Sequence, residues 1–279
     1  MSVSIGTDPE LFLMDSRTGG VVPACGLIGG EKGKPLDIGG GFGIQEDNVM
    51  VEFNTPPKND PYDFAASVKE GIEKVTNLVC TRQEHLRLDD QSERLFSGIQ
   101  LDTPQARMFG CSQDFDAYEQ GSAFTPVSPD ELRDGDGAWR FAGGHVHLGY
   151  DNPHGIPDFV VASFADVFLG LPSVGLDNQP RRRALYGAPG RYRPTSYGIE
   201  YRVLSNFWVM DYSLCEQIGY RAYALGNFIE SSKESRLQSL FKEIPWADVC
   251  KAMTEEDTGR AADILAYVRH DLDVSEVDV

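Results

Sequence analysis

Four short stretches set acidic, imidazole or guanidinium groups two residues, or another even number, apart within β-type sequence. Asp8 and Glu10 stand in GTDPELFL, His145 and His147 in GGHVHLGY, Glu200 and Arg202 in YGIEYRVL, while Glu46 and Glu52 bracket EDNVMVE. Side chains two apart on a strand share a face, so each stretch is expected to present its polar groups together. Carboxylates joined by a histidine suit hard divalent ions such as Mg2+ or Mn2+, which bridge phosphate oxygens. A single such pair is also what the solvated face of an antiparallel sheet carries; four of them together are harder to explain that way. HVH with no third ligand close by is a weak zinc signature, so a metallohydrolase is a minor alternative.

A complementary basic group follows. Arg182, Arg183, Arg191, Arg193 and Arg202 lie within RRRALYGAPGRYRPTSYGIEYR, and their planar, permanently charged forks match phosphate and carboxylate oxygens. The chain as a whole carries 25 Lys and Arg against 43 Asp and Glu, a formal charge of −18. Such a concentration of arginine therefore points to a local anion site, the alternative being a basic loop neutralised by neighbouring acids. The overall charge repels a phosphate backbone and argues against direct nucleic-acid binding. Gly39, Gly40, Gly41 and Gly43 precede an acidic run and lack a following GK[ST], so they predict a turn rather than a phosphate cradle.

These residues need strands to carry them and helices to back the strands. The first fifty or so residues alternate β-type runs with glycine punctuation and predict three or four strands, the first within MSVSIGTDPELFLMD. That opening has no basic segment before an apolar run, so no signal peptide is expected. Phe64, Val68, Ile72, Val75 and Leu78 recur at helical spacing after Pro61, predicting an amphipathic helix from Pro61 to Arg82. Further helices are expected at Pro157 to Leu171 and Tyr212 to Ser231, with short ones around Leu237 to Phe241, Trp246 to Met253 and Arg260 to His270. The acidic segment 271–279 is expected to fray as a tail beyond a single domain over residues 1–270. Residues 86–138 resolve only into strands and loops.

The 279 residues suffice for a full core, and 41% hydrophobic with 24% charged residues is the balance of an ordinary globular protein. No apolar run reaches the length of a spanning helix, so no membrane partner is expected. Cys25, Cys80, Cys111, Cys215 and Cys250 are odd in number and scattered, which predicts free thiols and a cytoplasmic location.

The order DPE, EDNVMVEFN, GGHVHLG, then R-x-R followed by YGIEYR resembles the glutamine synthetase and glutamate–cysteine ligase superfamily. It is more closely similar to the phage-encoded COOH–NH2 ligases of type 2, over about Gly6 to Trp208. The resemblance implies an α+β fold: a glutamine-synthetase-like curved, mostly antiparallel sheet with the site on its concave face and helices on its convex face. It also implies ATP as co-substrate and two Mg2+ or Mn2+ ions. Glu10, Glu46 and Glu52 would hold one ion, and Asp8, His145 and Glu200 the other; Asp8 stands where many relatives have Glu. His147 would lie near the nucleotide. Arg191, Arg193 and Arg202 would hold the γ-phosphate and the substrate carboxylate or acyl phosphate, with Arg182 a further candidate for the same role.

The implied reaction joins a small-molecule or peptide carboxylate to an amine, as an amide or isopeptide bond, through an acyl phosphate. Phosphoryl transfer asks a protein for positioning and charge neutralisation, which two metals and several arginines supply. Asp47 is the carboxylate expected to draw in the amine or accept its proton, although a surface turn would explain it equally. Two other classes stay open: a guanidino-kinase-like phosphotransferase on the same groups, and a non-catalytic interaction module. If the protein is phage-encoded, its location would be the host cytoplasm. The identity of the substrates and the oligomeric state are not legible in the residues.

Overall fold

Pro9 lacks a backbone N–H and cannot continue a hydrogen-bonded ladder, and the N-terminal β segment divides there into β1 (Ser4–Thr7) and β2 (Glu10–Asp15). The computed structural model describes residues 3–108, 114–124, 132–152 and 154–278. The two N-terminal strands belong to different sheets, and Asp8 sits at the crossing.

Six strands mark out the rest of the frame: β3 (Phe42–Asp47), β4 (Met50–Asn54), β5 (Asp114–Asp116), β6 (Val146–Gly149), β7 (Arg191–Pro194) and β8 (Gly198–Tyr201). In one sheet β1 is followed by β6, β8, β7, β5 and the strand Ser122–Phe124; in another, Val21–Val22 is followed by β2, β4, β3 and Leu36–Gly39. A third, three-stranded sheet contains Glu93–Phe96, Arg133–Asp134 and Gly137–Phe141. Among the described residues every strand pairing is antiparallel. The first two sheets are tied where the chain crosses: Thr55 N donates to Thr7 O at 2.9 Å and Glu10 N to Gly143 O at 2.9 Å. The result is a mixed α+β architecture with a curled, antiparallel half-barrel sheet and helices.

Helices cover one side. Helix α1 (Pro61–Arg82) starts where expected because Pro61 presets the first turn and the Asp60 side chain accepts from Tyr62 N and Asp63 N at 2.9 and 3.1 Å. Its buried stripe of Phe64, Val68, Val75 and Val79 packs with α3 (Tyr212–Ser231) over Ile5, Leu11, Val51 and Phe53 of the strands. Between them in sequence, α2 (Asp158–Ala165) continues through a π-turn, Asp166–Gly170, into Leu171–Ser173. The helix expected over Pro157 to Leu171 thus forms with one wide turn at Asp166.

Asp166 is fully buried and accepts hydrogen bonds from the hydroxyls of Tyr201 (2.6 Å) and Tyr118 (2.7 Å), which fixes the back of β8. Burial pushes its carboxyl up from 3.8 to about 7 against those two hydrogen bonds. A raised folded-state value means that the contribution of the protonated group is full below about pH 4 and is lost as pH rises through about 7. Asp166→Asn keeps the hydrogen-bonding shape without the charge. Its melting temperature is expected to stay flat from about pH 5 to about pH 8, while the wild type declines relative to it; parallel curves would contradict this assignment.

Three features differ from expectation. The first fifty or so residues hold more and shorter strands than three or four, because Pro9 and the turns at Gly39–Gly41 and Asn48 divide them. Residues 86–138 contribute short strands and the helix Pro104–Arg107. The C-terminal segment does not fray over its described residues: Val274 and Val277 are buried, and Arg221 and Arg236 donate to the carbonyls of Val277 and Asp273. Cys25, Cys80, Cys215 and Cys250 are free thiols, and Cys111 lies outside the described residues. Among the described residues no helix is long and apolar enough to cross a membrane.

Candidate active site

Antiparallel register decides which side chains meet. In the first sheet His147 pairs with Gly6 and Glu200, Glu200 with Arg193, and Arg191 with Asp116. Cross-strand partners share a face, so one open face carries His147, Glu200, Arg193, Arg191 and Asp116, with Asp114 two residues along. The opposite face turns Val146, Leu148, Tyr192, Ile199 and Tyr201 into the core. In the second sheet Glu10 pairs with Glu52 and Glu52 with Gln45, which places Asp47 on the same side two residues from Gln45.

Each sheet contributes one ligand group. Asp8, His145 and Glu200 offer ligand atoms within 4.8 Å of one another, and so do Glu10, Asp47 and Glu52. The first group is the one expected. The second departs from expectation, because Glu46 is not part of it. The chain turns at Asn48, whose φ is 59°, between β3 and β4, so the even spacing of Glu46 and Glu52 counts across a hairpin and does not preserve the face. Glu46 points to the other side and accepts from Gly26 N (2.7 Å), Ile28 N and Gly29 N (both 2.8 Å) and from Gln105 (2.9 Å). Its pKa is lowered: burial would raise it, and these donors more than offset that. Asp47 takes its place in the group, with Lys32 Nζ 2.9 Å from its Oδ2.

The GGH turn sets His145. Gly143 and Gly144 leave no room for a side chain: a Cβ on Gly143 would lie 2.3 Å from His145 Nε2, and one on Gly144 would lie 2.4 Å from Ser205 O. Gly143 N donates to Glu10 Oε2 at 2.7 Å and Thr7 Oγ1 to His145 O at 2.6 Å, so the turn joins both groups. Asp8 Oδ1 lies 3.3 Å from His145 Nδ1 and 3.1 Å from His147 Nε2, yet it is buried and accepts no well-formed hydrogen bond among the described residues.

The electrostatics would suit a bound cation. Burial raises Glu52 well above its ordinary value, reinforced by Asp8, Glu10 and Asp47, and burial with Asp47 likewise raises Glu10. Asp8 goes the other way: burial alone would raise it, but the two imidazoles hold its carboxyl far below the usual range, and Asp8 in turn raises His147. Burial would raise Glu200, but Arg202 together with the two imidazoles more than offsets it, so its carboxyl is lowered. An all-oxygen group beside one with a single imidazole is the donor chemistry of hard divalent ions. The crowded carboxylates, the under-coordinated Asp8 oxygen and the lysine already drawn to Asp47 all fit such ions.

The arginines divide by role. Arg202 contacts Glu200, lies 3.2 Å from His145 Nδ1 and 3.0 Å from Asp114 Oδ1. Arg193 bridges Glu200 Oε2 at 3.0 Å and Asp114 Oδ1 at 3.1 Å. Both therefore border the His145 group. Arg191 is held by Asp116 at 2.6 Å, one step further along the sheet. Arg182 and Arg183 are corrections to the expected anion site. Arg182 reaches a cavity wall, but its guanidinium donates to the carbonyls of Val203 and Arg202 and supports the chain that carries Arg202. Arg183 is buried against Asp177, Ser173 and Glu256, away from the ligand groups.

Cavities open on either side of the ligand groups. One, of about 410 Å³, is lined by Asp8, Glu52, His147 and Tyr197 together with Gly6, Thr55 and Pro57. His147 Nδ1 lies 2.5 Å from the Tyr197 hydroxyl there. The other, of about 60 Å³, is lined by Glu10, Asp47, His145, Asp114 and Arg202 together with Arg140, Phe141 and Tyr186. Sequence reasoning missed Asp114, Arg140 and Lys32. Asp114 had a signal, since Asp114 and Asp116 repeat the two-apart pattern of the other strands; Arg140 and Lys32 had none.

A search of curated proteins returned no match. Residues 138–272, just under half of the chain, match the family model described as phage phiEco32-like COOH.NH2 ligase-type 2. That segment holds His145, His147, Arg191, Arg193, Glu200 and Arg202, and the match supports for this chain the family that its motifs resemble, the phage-type COOH–NH2 ligases of type 2.

Proposed function

We propose that this protein is an ATP-dependent carboxylate–amine ligase that forms an amide or isopeptide bond through an acyl phosphate. The observation that carries the reading is the junction itself: two ligand groups, one per sheet, flanked by two cavities and bordered by Arg193 and Arg202. Asp8, His145 and Glu200 would hold one divalent ion, and Glu10, Asp47 and Glu52 the other. When bound, such ions neutralise the charge on transferring phosphoryl oxygens.

In this reading the wider cavity takes the nucleotide, with His147 and Tyr197 in its wall, and the narrower one takes the reacting carboxylate and amine. Arg202 and Arg193 present fixed guanidinium planes at the Glu200 edge, suited to the γ-phosphate and then the acyl phosphate. Arg191 extends that cationic row, and Arg182 keeps the Arg202 backbone in place. Asp47 belongs to a ligand group and also lines the narrower cavity, so it would draw in the ammonium as well as hold an ion. Glutamine-synthetase-like geometry and a cytoplasmic site of action, in the host if the protein is phage-encoded, belong to the same proposal; four free thiols suit a reducing compartment.

Product analysis tests the reaction class. With ATP, Mg2+ and a productive carboxylate and amine pair, free phosphate is expected to appear in step with the new amide. Phosphate retained on a guanidino product would identify a kinase instead, and ATP left intact with every pair would leave an interaction module.

A further inference from the structure

A loop outside the sheets brings a cation, Lys32, to within 2.9 Å of Asp47 in the Glu10, Asp47 and Glu52 group. Glu31 and Lys34 exchange backbone hydrogen bonds at 3.2 and 2.7 Å, closing a turn with Lys32 and Gly33 at its tip. Gly33 has φ 78°, the left-handed conformation that glycine adopts freely at the third position of such a turn. The base of the loop is fixed by Glu46, which accepts from Gly26, Ile28 and Gly29, and Gly30 packs so closely that a Cβ would lie 2.3 Å from Ile44 O. The tip is exposed from Glu31 to Asp37. Lys32 keeps 44% of its side chain exposed while its ammonium reaches the largely buried Asp47.

We propose that Lys32 is the resident counter-ion of the Glu10, Asp47 and Glu52 corner, and that a divalent ion must displace it, releasing the loop tip. The inference rests on the metal-site reading above and deepens it. Three carboxylates crowded together need positive charge. A point-charge ammonium on a flexible stem can supply it until a doubly charged ion arrives, and both cannot occupy Asp47 at full strength. The loop is anchored at Glu46 and its exposed tip is also held to β3 by Gly33 N donating to Gln45 Oε1 at 3.2 Å, so departure of Lys32 loosens the tip while Glu46 keeps the base in place. Released, the ammonium stands at the edge of the cavities where anionic substrate would arrive.

The test uses Mn2+ alone, without nucleotide. Calorimetric titration of the full chain is expected to give roughly threefold to tenfold tighter Mn2+ binding in Lys32→Gln than in wild type, with Lys32→Arg close to wild type. Trypsin supplies a second readout, because the Lys32–Gly33 bond is cleavable whereas Lys34 precedes Pro35 and resists. Mn2+ is expected to speed cleavage after Lys32 in the wild-type protein. Equal or weaker Mn2+ binding in Lys32→Gln, with an unchanged tryptic rate, would overturn the displacement while leaving the metal site standing. No Mn2+ binding by wild type or variant would overturn both.

Discussion

Glu10→Ala is expected to abolish metal-dependent nucleotide turnover, a loss on the order of 10³-fold or more, while leaving melting temperature at or slightly above the wild-type value. Removing a ligand from one of two ions forfeits several kcal/mol of charge stabilisation, at about 1.4 kcal/mol per tenfold in rate. Stability goes the other way because Glu10 and Glu52 are both raised by burial and mutual repulsion with Asp47, so removing one relieves the others. Gly143 N loses its carboxylate partner, which offsets part of that gain. A phosphate-release assay beside a thermal melt checks both halves. Normal turnover would remove Glu10 from the site, and a collapsed melt would recast it as a structural group.

Arg202→Lys is expected to lower turnover about 10²-fold to 10³-fold, by analogy with losing one transition-state donor, and to cost about 2 kcal/mol of stability. One guanidinium here meets Glu200, Asp114 and the His145 ring together. An ammonium keeps the charge but cannot span three partners, and Glu200 and Asp114 are both nearly buried. A conservative change should therefore damage the site almost as much as removing the charge. Steady-state kinetics with a denaturant melt decide the matter: unchanged turnover would take Arg202 out of the phosphate-binding role, and unchanged stability would show that the three contacts contribute little.

Strand parity made much of this site legible in the sequence. His145 with His147, and Glu200 with Arg202, meet because each pair sits on or beside a single strand and period two holds along it. The same rule failed for Glu46 and Glu52, because a left-handed Asn48 turns the chain between them and resets the face. It reached the right neighbourhood for Asp8 and Glu10 by a different route, since Pro9 divides them between two sheets rather than setting them on one strand. Helices α1 and α3 were readable from their apolar stripes, with Pro61 marking the start of α1. Arg182 and Arg183 misled because composition records charge but not destination: one fork goes to backbone carbonyls and the other to Asp177. Lys32 and Arg140 gave no pattern at all, as their place depends on loop closure and sheet packing between distant segments.

Calorimetric titration of the wild-type protein with a non-hydrolysable ATP analogue, with and without Mg2+, asks whether the junction of the two sheets binds metal and nucleotide together. Saturable binding is expected that requires Mg2+ and disappears in Glu10→Ala while the variant remains folded. Absence of binding under every metal condition, or binding indifferent both to Mg2+ and to Glu10, would contradict the claim that the junction of the two sheets is a metal–nucleotide site.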